Sequence, residues 1–130
     1  MSSTLTEHRG DGCTAAAISN LVVRLMNEYT GRGPTKARTY LNEDLVTVLL
    51  QDTLTKGERS LVRDGKEDLV LSTRLAFQMT MRTDFIAGIE AITGRKVAAF
   101  MSANHMEPDV AVETFLLDGA APHPGEPART

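Results

Sequence analysis

The chain has 130 residues, 42% hydrophobic and 24% charged, with a net charge of −3 at pH 7. That length suits one domain with a packed core and is too short for two ordinary ones. The mild acidity excludes bulk electrostatic attraction to nucleic acid or anionic lipid, the single Cys13 excludes an internal disulfide, and no run approaches the ~20 apolar residues that span a bilayer.

Residues 1–13 carry no apolar core of a secretory signal, which predicts a cytoplasmic protein that reaches the inner membrane only through a partner, without inserting. Their polar composition predicts a flexible leader. Ala17, Ile18, Leu21, Val22, Leu25, Met26 and Tyr29 then follow the spacing of one helical face, predicting a helix from about Thr14 to Thr30. Gly31 suits the left-handed residue that ends a helix, and Pro34 blocks continuation. From Thr35 the period becomes two, with Ala37, Thr39 and Leu41 on one side and Lys36, Arg38 and Tyr40 on the other. Asn42-Glu43 supplies a turn, and Leu45 to Gln51 returns as a central strand, apolar on both faces.

Thr55 and Glu58 have capping-box spacing, predicting a short helix to Arg63 that stops at Asp64-Gly65. The long pattern that follows predicts a helix from about Lys66 to Thr93. Its buried ridge is Val70, Phe77, Met81, Phe85, Ile89 and Ile92, with Arg74, Gln78, Arg82 and Glu90 turned to the other side. Val97 to Met101, a loop from Ala103 to Asp109, and Val110 to Leu117 make a second hairpin. Residues 119–130, rich in Pro and Gly, predict a disordered tail, leaving 14–118 as a single domain. The fold expected is α+β: a two-layer sandwich of four antiparallel strands backed by helices, in the order α-β-β-α-α-β-β. Thr-Gly-Arg closes a helix and opens a hairpin twice, at 30–32 and 93–95, so one α-β-β unit is either duplicated or punctuated alike.

The most function-like stretch is Gly31 to Arg38. Gly31 and Gly33 let backbone amides turn toward one point, while Arg32, Lys36 and Arg38 supply charge to a phosphate, carboxylate or bicarbonate. It is neither a Walker loop nor a dinucleotide fingerprint, and a helix stop followed by a solvated strand face is the simpler reading. Tyr40, beside those cations, with Asn104, His105 and Asp109 forms a second candidate set, a partner or loop site. His105 could serve acid-base chemistry near Asp109, yet no nucleophile with an orienting acid accompanies it, so no catalytic residue is assigned. Zinc spacings are missing, and neither a metal nor a cofactor is expected. Glu107, Asp109, Glu113 and Asp118 read as solvated acids, and Arg59, Arg63, Arg74 and Arg82 as helical cations facing acids or water. With Phe77, Phe85, Phe100 and Phe115 assigned to the core, stacking platforms for nucleic acid are not expected.

Three segments in series carry a resemblance: Asn27 to Tyr40 (NEYTGRGPTKARTY), Leu54 to Val62 (LTKGERSLV) and Thr93 to Asp109 (TGRKVAAFMSANHMEPD). Together they resemble the MpsC-like family of small bacterial proteins, over about residues 15–118. The resemblance implies association with a membrane potential-generating, cation-translocating system, whose other subunits resemble components of inorganic-carbon uptake complexes. It brings no catalytic residues, and where the family pattern has an acid after the Ser of the third segment this chain has Ala103. The leading expectation is a non-enzymatic, homodimeric accessory or regulatory subunit of a membrane transport complex. The alternatives are a small-anion or nucleotide sensor using the Gly31–Arg38 loop and, third, a hydrolase-type enzyme using His105.

Overall fold

In the computed structural model the first helix, α1, spans Ser2–Thr30 and the chain continues through β1 (Lys36–Asn42), β2 (Leu45–Gln51), α2 (Lys56–Arg63), α3 (Glu67–Thr93), β3 (Lys96–His105) and β4 (Val110–Asp118). The structure describes residues 2–119, with side chains from Gly12 onward; the expected tail lies, from residue 120, outside the described residues. The order α-β-β-α-α-β-β is the one read from periodicity. Two boundaries differ. α1 begins at Ser2, taking in the segment expected as a leader, because a helix once nucleated propagates at little cost per residue where no proline interrupts it. β3 runs through His105, so the expected loop from Ala103 shrinks to a turn over residues 106–109.

Local chemistry accounts for the helix ends. Thr55 Oγ1 accepts the Glu58 amide at 3.1 Å while Glu58 Oε1 accepts the Thr55 amide at 2.8 Å, the reciprocal capping box that starts α2. Gly31 and Gly94, at φ +77° and +70°, end α1 and α3 in the left-handed conformation that glycine adopts without a Cβ penalty.

The sheet is entirely antiparallel with strand order β1-β2-β4-β3, so β2 and β4 lie at the centre. α1 packs on β1, α3 packs on β3, and the two helices pack on each other, all on one side of the sheet. Between the layers Ile18, Val22, Val48, Leu50, Phe85, Ile89 and Phe115 are buried to within 0% exposure. Phe85, Phe100 and Phe115 form an aromatic triad with ring centroids 5.1–6.3 Å apart, Phe100 stacked on Phe115 and Phe85 edge-on to Phe115. Gly88 lets α3 approach α1 closely: a Cβ there would sit 2.4 Å from Leu21 Cδ2. Gly88→Val is therefore expected to lower unfolding stability by about 1–3 kcal/mol through overpacking, read by urea denaturation. A neutral or stabilising result would show that the crossing is loose.

The two Thr-Gly-Arg copies make the same bonds. Thr30 Oγ1 donates to Met26 O at 2.7 Å and accepts the Arg32 amide at 3.3 Å; Thr93 Oγ1 donates to Ile89 O at 2.8 Å and accepts the Arg95 amide at 3.2 Å. Each arginine then reaches an aspartate at one end of the β2–β4 ladder. Arg32 Nη2 lies 3.1 Å from Asp52 Oδ2, just past the end of β2, and Arg95 Nη2 lies 2.7 Å from Asp44 Oδ1, just before its start. Arg32 thus pairs within its own α-β-β half, whereas Arg95 reaches across to the other half.

Candidate functional site

Among the described residues, one side of the sheet carries no helix. Cross-strand register gives its rows: Lys36–Gln51–Val110–His105, Arg38–Leu49–Val112–Ala103, Tyr40–Thr47–Thr114–Met101 and Asn42–Leu45–Leu116–Ala99. Tyr40, Leu45, Met101 and Leu116 are among the large hydrophobic side chains that stand exposed. Period-two alternation puts Lys36, Arg38 and Tyr40 together here, as their spacing predicts, along the β1 edge. Neither cation has an ion pair among the described residues. The surface is an apolar floor with a cationic margin.

The other expected loop residues go elsewhere. Arg32 turns from Lys36 and Arg38 to Asp52, whose carboxylate also meets Arg59; Arg59 Nη2 in turn lies 3.4 Å from Asp109 Oδ2. Gly33 sits against Asn27, whose Nδ2 would be 2.6 Å from a Cβ there. The Gly31–Arg38 stretch therefore separates into a structural half, Gly31 to Gly33, and a surface half at Lys36 and Arg38. Asp109 is not a solvated acid: Oδ1 accepts the Thr53 hydroxyl at 3.0 Å and Oδ2 the Leu54 amide at 2.9 Å, tying the start of β4 to the loop before α2. His105 Nδ1 lies 2.8 Å from Pro108 O, within its own turn. Asn104 is separate from both, facing the interior.

Beneath the sheet a chain of polar side chains crosses the helical layer. Arg74 Nη1 donates to both oxygens of Glu58 at 3.0 and 3.2 Å, and Arg74 Nε donates to Asn104 Oδ1 at 3.2 Å. Asn104 and Gln78 exchange amide bonds at 3.0 Å each way. Gln78 Nε2 also donates to Glu113 Oε1 at 3.1 Å, and Ser102 Oγ donates to Glu113 Oε2. Glu113 is 1% exposed. Burial pushes its carboxyl up from 4.5 to about 7, against the lowering effects of the Ser102 and Gln78 hydrogen bonds and the Arg74 charge.

These residues correct the reading from polarity. Arg74 and Gln78 are buried on α3 alongside Val70, Met81, Phe85 and Ile89, while Phe77, expected on the buried ridge, is 39% exposed. Glu113, expected in solvent, is buried beside Ala111 and Phe115 on the inward side of β4. Two signals were available. Residues 70, 74, 78, 81, 85 and 89 keep helical spacing of four and three, and residues 111, 113, 115 and 117 keep the strand period of two. Position on the stripe outweighs polarity when each buried polar group finds a partner, as every one of these does.

A cleft of about 230 Å3 opens at the helical end of this chain of bonds, lined by Met26, Thr55, Glu58, Arg74, Phe77 and Met81 among others. Among the described residues no group of three or more His, Cys, Asp or Glu could hold a metal ion, and no helix is long and apolar enough to cross a membrane. No curated protein and no solved structure matches the chain. The sequence profile described as "Na+-translocating membrane potential-generating system (MpsC)" matches residues 11–119, which takes in all four strands and both later helices, and the chain belongs to that family.

Proposed function

We propose that the chain is a non-enzymatic accessory or regulatory subunit of the Na+-translocating system for which its family is named, docking on a protein subunit of that system through the uncovered sheet face. The observation that carries this reading is the apolar floor of Leu45, Leu49, Val112 and Leu116 bordered by Lys36 and Arg38, which have no ion pair among the described residues. A floor of that kind gains from burial, and the cationic margin favours an acidic rim on the partner, which sets orientation and encounter rate. An inorganic-carbon translocating complex is the finer form of the same proposal.

The test is capture from membranes in mild detergent with the tagged full chain as bait. The parent protein should retain a transport-system subunit, and Leu116→Glu should lose it with an unchanged circular dichroism spectrum. Recovery of the parent chain alone, or equal capture by Leu116→Glu, overturns the proposal. A second copy is the competing occupant of this face, and light scattering on the purified chain reads a homodimer directly.

A further inference from the structure

The cleft lies on the helical side, away from the uncovered sheet face, and α3 is arranged around it against its own interest. Arg74 is held with only 9% of its side chain exposed, while Phe77, one turn further along the same helix and also lining the cleft, stands 39% exposed. A helix minimising its own free energy would bury the ring and solvate the guanidinium. Arg74 Nε and Nη1 are fixed by Asn104 and Glu58, which locks the plane of the guanidinium. Its Nη2, with two N–H donors, has no partner among the described residues. The Thr73 hydroxyl, also on the wall, likewise makes no hydrogen bond among the described residues. Glu58 is half of the cleft's charge, so the wall presents a cation and an anion side by side, with no net charge to attract a simple anion.

We propose that this cleft binds a free α-amino acid with a medium-sized apolar side chain. The ligand's carboxylate takes Arg74 Nη2 and the Thr73 hydroxyl, its ammonium faces the Glu58 carboxylate, and its side chain lies against Met26, Phe77 and Met81. Arg74 and Glu58 already pair with each other, so a ligand has to supply an acceptor for the spare Nη2 donors and a donor for the remaining carboxylate lone pairs; a zwitterion supplies both and adds no net charge. The volume of about 230 Å3 falls below the ~300 Å3 lower end for drug-sized ligands, which fits a molecule of this size.

Calorimetric titration of the full chain at neutral pH tests this with L-leucine, L-methionine and L-phenylalanine as probes. Leucinamide lacks the carboxylate and 4-methylpentanoate lacks the ammonium. Each is expected to bind at least about tenfold more weakly than leucine, the loss that follows from one missing charge-assisted hydrogen bond. Because removing Arg74 threatens the fold, the diagnostic variants are Thr73→Val and Phe77→Ala, both at exposed helical positions. Each should weaken leucine binding severalfold, with thermal unfolding close to that of the parent, whereas Leu116→Glu should leave it unchanged. No heat with any of the three amino acids overturns the proposal, as does leucinamide or 4-methylpentanoate binding as tightly as leucine. A loss in Leu116→Glu would place the ligand on the sheet face and overturn it too.

Discussion

Arg74→Met is expected to destabilise the fold by about 3–5 kcal/mol, the cost of removing one partner from a buried ion pair. The loss exceeds that of a surface pair because three groups depend on the guanidinium. Glu58, only 16% exposed at its side chain, would keep a negative charge whose remaining partner among the described residues is the Thr55 amide. Asn104 Oδ1 would lose one of two donors. The capping box of α2 would also feel the change, since the same Glu58 oxygen serves both the Thr55 amide and Arg74. Adding Glu58→Gln should restore part of the loss, because it removes the stranded charge. A double-mutant cycle from urea unfolding curves reads both numbers. A single-variant cost below about 1 kcal/mol would mean that the pair behaves as a solvated surface contact.

Glu113→Gln should flatten the dependence of stability on pH. The folded pKa of about 7 lies above the 4.5 of an unperturbed carboxyl. Between those values the folded chain holds a proton that the unfolded chain has released, so stability falls as pH rises and levels off above about 7. The full swing is on the order of 3 kcal/mol, the free energy of 2.5 pKa units. Glutamine keeps the acceptor for Gln78, and its amide can donate to Ser102, whose hydroxyl accepts as readily as it donates. The variant should therefore match the parent near pH 4.5 and exceed its stability near pH 8. Denaturation midpoints at both pH values check this. Parallel profiles for the two proteins would place the titration elsewhere.

Both predictions concern groups that local reading of the sequence turned away from the core, Glu113 to solvent and Arg74 to acids or water, and the reason is physical. The capping box at Thr55, the helix stops at Gly31 and Gly94, and the strand from Leu45 to Gln51 depend on neighbours within a few residues, so their chemistry is visible in the chain. Burial of Arg74 depends on Glu58, 16 residues away, and burial of Gln78 depends on Glu113, 35 residues away. A polar residue enters a core only when such a partner arrives with it; the spacing marks the inward positions, but the distant partner that stabilises a polar group there is not visible in it. Phe77 was misplaced for the complementary reason: hydrophobicity assigned it inward, whereas the stripe of α3 turns inward at 74 and 78 instead. On the sheet, where position alone decides the face, the grouping of Lys36, Arg38 and Tyr40 was legible from alternation.

The arginines of the two Thr-Gly-Arg turns have a consequence for how the sheet can go wrong. Moving β4 by one residue along β2 would throw Phe115 and Leu117 outward, and burial forbids that. A slip of two residues keeps every side chain on its own side, so hydrophobicity is nearly indifferent to it. The clamps are not. Arg32 holds Asp52, whose amide donates to Asp109 O at one end of the ladder. Arg95 holds Asp44, whose carbonyl accepts the Leu117 amide at the other. A two-residue slide would break both ends at once. The repeated tripeptide thus acts as a vernier, selecting one alignment from a set that the core alone would accept.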